Sequence, residues 1–122
     1  MLNDRKIRVL VVDDEPELRR IFSIYFEREG CEVIQAFDGS MAWGMLTNGV
    51  TFDLVVSDNT MPGMTGLDLL KRMRKYEETK SIPFVMLSGD ALQSEVEKLE
   101  LASFYPKPSP RAIVREILEK FR

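Results

Sequence analysis

Three carboxylates stand where they could hold a cation and take up a phosphoryl group. Asp58 ends the apolar run Phe52-Asp53-Leu54-Val55-Val56-Ser57 and leads into Asn59-Thr60-Met61-Pro62-Gly63-Met64-Thr65-Gly66. Asp13 and Asp14 end another run, Ile7-Arg8-Val9-Leu10-Val11-Val12. A carboxylate at the carboxyl end of a buried strand, before a loop rich in proline and glycine, sits where open parallel sheets bind ligands. If the two strands are neighbours, the three acids meet at one sheet edge. Crowded carboxylates raise one another's pKa unless a cation offsets them. The set therefore asks for a hard, oxygen-loving ion, Mg2+ first among them. Ser88 and Lys107 close two further strand-like runs. An acyl phosphate on Asp58 would need what they supply: a hydroxyl donor to one oxygen and an ammonium to neutralise another.

Strand-like and helix-like runs alternate five times, which is the pattern needed to bring these groups together. Strands are expected near 7–12, 31–36, 52–57, 82–87 and 102–105. The first helix is expected from Pro16 to Glu29, with Leu18, Ile21, Phe22, Tyr25 and Phe26 inward and Gly30 as its stop. Asp38 suits the cap of a short helix to Thr47, and a third helix spans Gly66 to Tyr76 with Leu67, Leu70 and Met73 inward. A helix over about 91–100 turns Leu92, Val96 and Leu99 to one face, and Ser109-Pro110 opens the last helix, through Phe121. Short connections between such units imply an α/β protein with a parallel sheet covered on both faces. The first and third strands are apolar throughout and read as central, whereas the second and fifth read as edges.

Composition narrows the functions. A length of 122 residues suits one domain, here 1–122, and 44% hydrophobic with 30% charged residues is ordinary for a globular protein. A net charge of -3 argues against a nucleic-acid surface. No signal peptide or membrane-length apolar stretch is evident. The single cysteine, Cys31, reads as a half-buried thiol at a strand start and fits a reducing cytoplasm. There is no histidine, which removes imidazole general bases and phosphohistidine carriers.

Taken singly, each polar residue has an ordinary explanation: Asp14 or Ser88 as a helix cap, Lys107 as a surface lysine, Asp58 as a turn acid. Their joint placement at successive strand ends decides otherwise. Val11-Val12-Asp13-Asp14-Glu15, Asp58 with Met61-Pro62-Gly63-Met64-Thr65-Gly66, Leu87-Ser88-Gly89 and Lys107-Pro108 resemble the response regulator receiver domain of two-component signalling, over essentially the whole chain. The resemblance implies a flavodoxin-like, doubly wound (βα)5 fold with strand order 2-1-3-4-5, as in chemotaxis receivers. It implies Asp58 as phosphoacceptor, and Asp14, Asp58 and the Thr60 carbonyl as direct Mg2+ ligands. Asp13 would act largely through water. Ser88 and Lys107 would contact the phosphoryl, with the Lys107-Pro108 bond cis. Phe104 would turn inward as Ser88 moves, so Ser88 and Phe104 form the switch. The implied partners are a histidine kinase or phosphotransfer protein upstream and another protein downstream, met through the helix over 91–100, the fifth strand and the last helix.

The pattern is departed from in three places. The interval from Ser88 to Lys107 is short, Leu101-Ala102-Ser103 replaces the usual Gly-Ala, and Pro106 directly precedes Lys107. These changes leave the phosphorylation chemistry intact and bear on output. A phosphatase of the haloacid dehalogenase type would want a second acid at position 60, where Thr60 stands, and a cap domain. A binding module working unphosphorylated would not need the full set of acids, hydroxyl and lysine. The chain ends directly after the last helix, so a stand-alone receiver, a monomer at rest, is expected over a receiver cut from a longer kinase or transcription factor.

Overall fold

A computed structural model describes residues 6–87, 96, 98, 102–105 and 109–121, with the side chains of 104 and 105 left out. The elements run β1 (Arg8–Val12), α1 (Pro16–Arg28), β2 (Glu32–Ala36), α2 (Gly39–Leu46), β3 (Leu54–Asp58), α3 (Gly66–Lys75), β4 (Phe84–Leu87), β5 (Ala102–Tyr105) and α4 (Pro110–Phe121). The five strands are parallel and ordered β2-β1-β3-β4-β5, with β2 and β5 at the edges. The expected helix over 91–100 lies outside the described residues apart from Val96, which is buried, and Lys98, which is exposed.

Alternation along the central strands builds two apolar layers, because successive side chains point to opposite faces of a sheet. Val9, Val11, Leu54 and Val56 pack with Phe22 and Phe26 of α1 and Ile113, Val114, Ile117 and Leu118 of α4. Leu10, Val12, Val55, Phe84 and Met86 pack with Ala42 and Leu46 of α2 and Leu69, Leu70 and Met73 of α3. Strands buried on both faces must be apolar throughout, and β1, β3 and β4 are nearly so.

Several expectations need correction in detail. Ile21 is 39% exposed, since neighbouring helix positions are rotated by roughly 100° and Phe22 and Phe26 already define the inward stripe. In α3 the stripe is Gly66, Leu69, Leu70 and Met73, so Leu69 is buried while Leu67 lies at the margin. Cys31 is fully buried rather than half-buried. The third strand begins later than expected and includes Asp58 itself. Trp43 meets Tyr76 edge-on, with centroids 5.3 Å apart.

Candidate functional site

β1 and β3 lie side by side with Val12 opposite Ser57, so Asp13 and Asp58 reach the same sheet edge. Carboxylate oxygens of Asp13, Asp14 and Asp58 all lie within 4.8 Å of one another. Asp13 and Asp58 are buried and Asp14 is exposed. Three carboxylates this close repel one another unless a counter-charge stands among them. A compact all-oxygen donor set with one open member fits a divalent cation, which can enter from the Asp14 side.

Asp13 is held firmly. Its N–H donates to the Ala36 carbonyl at 3.1 Å, tying the end of β1 to the end of β2. Its Oδ1 accepts the Glu15 N–H at 2.9 Å in a local turn. Its carbonyl accepts from Arg19 Nη1 at 2.8 Å, and Arg19 Nε donates to Gln35 Oε1 at 3.0 Å. One guanidinium thus links α1, the end of β1 and β2.

The Asp58 backbone is gripped from two sides. The Ser57 hydroxyl donates to the Asp58 carbonyl at 2.7 Å, within the buried sheet. Beyond it, Gly66 presses on the strand end: a Cβ there would sit 2.4 Å from the Asp58 carbonyl oxygen. Asn59 fastens the start of α3, its carbonyl accepting the Gly66 N–H at 3.1 Å and its side chain the Leu67 N–H at 2.9 Å. Thr65 caps α3 and shares a reciprocal capping box with Asp68. The loop between β3 and α3 turns through Gly63, at φ 75, a left-handed conformation that glycine adopts without strain.

The structure brings together Asp13, Asp14 and Asp58, and leaves Thr60 exposed on the loop two residues past the strand. Ser88, Lys107, the Lys107-Pro108 bond and the Phe104 side chain lie outside the described residues. Sequence reasoning missed Arg19, the close approach of Gly66, and the bonds by which Asn59, a residue it placed on the path of attacking water, fastens α3. For Arg19 a signal existed: long side chains in a helix lean toward its N-terminus, here toward Asp13. Gly66, at a helix start, hinted at a close backbone approach.

Comparison with known proteins agrees with this geometry. The family model for the response regulator receiver domain matches residues 9–119. Chemotaxis protein CheY-3 of Vibrio cholerae is 36% identical over 121 residues, covering 96% of this chain and 92% of that protein. Among solved structures, chemotaxis response regulator CheY4 of Vibrio cholerae superposes with a TM-score of 0.86 at 27% identity, covering 97% of this chain and 100% of that one. Response regulator protein TrrA from Thermotoga maritima, solved in complex with Mg(2+)-BeF, gives a TM-score of 0.83 at 28% identity, over 95% and 99% of the two chains. With a sheet of order 2-1-3-4-5 and three acids at its carboxyl edge, the chain belongs to the response regulator receiver domain family.

Proposed function

We propose that the chain is a phosphoacceptor that receives a phosphoryl group on Asp58 from a histidine kinase or phosphotransfer protein and passes the signal to a partner protein. The observation that carries this reading is the convergence of Asp13, Asp14 and Asp58 within 4.8 Å at the end of β1 and β3. A carboxylate oxygen of Asp58 attacks the phosphorus of a phosphohistidine. The N–P bond breaks, its electron pair returns to the imidazole, and an acyl phosphate forms on Asp58. Carboxylate oxygens of Asp14 and Asp58 and the Thr60 carbonyl would hold Mg2+ directly, with Asp13 acting through water, and the ion would screen the charge of the incoming phosphoryl group at these oxygens. The bonds to Asp13 and the grip on the Asp58 backbone keep these oxygens in place.

Ser88 and Lys107, by the family resemblance, contact the phosphoryl and read it out, and Phe104 follows Ser88 as the switch. In this reading the chain, as one receiver domain over 1–122, turns over no external substrate and loses its phosphoryl group slowly to water. A cytoplasmic setting suits the buried thiol of Cys31, the chain's single cysteine. Among the described residues no helix is long and apolar enough to cross a membrane.

Intact-mass measurement after incubation with a small acyl phosphate tests the proposal. One added phosphoryl group is expected with Mg2+ and none with a chelator. Phosphorylation of an Asp58→Asn variant at the wild-type rate would overturn the assignment.

A further inference from the structure

The exposed side of α3 concentrates positive charge on a protein that is acidic overall. Lys71, Arg72 and Lys75 follow Asp68 at i+3, i+4 and i+7, so all four share one helix face, while Leu69, Leu70 and Met73 are buried behind them. With Met64 they line a shallow hollow of about 410 Å3. The net charge of the whole chain is -3. The only tryptophan in the chain borders this face. The Arg72 guanidinium stacks 5.4 Å from the Trp43 ring centre, and Trp43 in turn meets Tyr76, itself 39% exposed. The contact with Trp43 orders the Arg72 guanidinium in advance, which lowers the entropy lost when a carboxylate pairs with it.

We propose that the α2–α3 face built from Trp43, Lys71, Arg72, Lys75 and Tyr76 docks an acidic, extended segment of a partner protein. Charge complementarity names the occupant. Lys71 and Arg72, with Lys75 one turn further on, match a run of carboxylates, and an ordered arginine beside aromatic rings is the composition of an interface anchor. Asp68, the acid on the same face, is turned to the Thr65 N–H at 3.2 Å in the capping box. A second copy of the chain is a poor occupant. Pairing this basic face with an acidic region elsewhere on the molecule would be heterologous and would not close into a dimer. A nucleic acid is disfavoured by the chain's net negative charge and by the confinement of the cations to one helix face.

Trp43 is the reporter. Titration of the intact protein with a polyglutamate peptide is expected to change Trp43 fluorescence saturably and to weaken as salt rises. The double variant Lys71→Glu, Lys75→Glu should bind at least about tenfold more weakly, because attraction becomes repulsion at two positions. Arg111→Glu on α4, distant in sequence from this face, should bind as the wild type does. Near-ultraviolet circular dichroism would confirm that the variants remain folded. If the double variant does not fold, Arg72→Gln serves instead and should lower both the affinity and the Trp43 signal. The proposal would be overturned by no saturable change, by equal binding to the double variant, or by a single-stranded oligonucleotide of equal length binding more tightly than polyglutamate.

Discussion

The Arg19 guanidinium acts on the acid cluster through the Asp13 carbonyl, 2.8 Å away, rather than through a carboxylate. Its second bond, to Gln35, keeps it in that position. Residues that orient metal ligands without touching the ion typically influence affinity by about tenfold or more. Arg19→Met should therefore weaken Mg2+ binding by about tenfold in calorimetry, while Gln35→Leu, which leaves the Asp13 contact, should have a smaller effect. The two buried acids differ from the exposed one in what they can give. Asp13 spends one oxygen on the Glu15 N–H, whereas Asp14 faces solvent. Asp14→Ala is accordingly expected to lose more Mg2+ affinity than Asp13→Ala, and the reverse order would show that Asp13 is the direct ligand.

At the scale of elements, α3 is the part most closely tied to Asp58. Gly66 has no room for a side chain: a Cβ would lie 2.4 Å from the Asp58 carbonyl oxygen and 3.0 Å from Met86 Sδ. Gly66→Ala must displace either the end of β3 or the start of α3. It should slow phosphorylation in a protein whose far-ultraviolet spectrum stays near wild type. Thr65→Ala removes one half of the capping box and should destabilise the protein by about 1 kcal/mol in urea melts. The other half carries a pH signature. The Thr65 N–H and then its hydroxyl, with Lys71 and Arg72 nearby, hold the Asp68 carboxyl below its ordinary value, against a small opposing effect of burial. A depressed carboxyl contributes stability above its unfolded pKa, and that stability fades as pH falls through the folded value. Asp68→Asn should therefore be less stable than wild type at neutral pH and converge with it in acid. A constant gap across that range would show that the carboxyl charge is not the cause.

For the molecule as a whole, the two apolar layers were readable because strand alternation and helical stripes leave plain marks. Phe22 and Phe26 of α1, Leu70 and Met73 of α3, and the central β1 and β3 stand where the pattern put them. Phe26, fully buried, should cost about 3–5 kcal/mol when cut to alanine. What the pattern did not show were contacts made across sequence: the Arg19 bond to Asp13, the Asn59 bonds to α3, and the pairing of Trp43 with Tyr76 and Arg72. These depend on where neighbouring elements bring two side chains together, which one-dimensional periodicity does not encode. The order of the strands likewise came from family resemblance rather than from hydrophobic patterning. In the site, Asp13, Asp14 and Asp58 were legible because position at a strand end is itself the signal. The same view of the molecule predicts a monomer at rest and a transient partner complex after phosphorylation. Light scattering with beryllofluoride as phosphoryl mimic should show no stable dimer at micromolar concentration.

Borohydride reduction of the phosphorylated protein tests the central claim most directly, because it converts an aspartyl phosphate to homoserine at the modified position. Peptide mass mapping after phosphorylation with Mg2+ should find homoserine at position 58 alone. Reduction at Asp13, Asp14 or any other acid, or a phosphate that survives on a serine or threonine, would contradict the account.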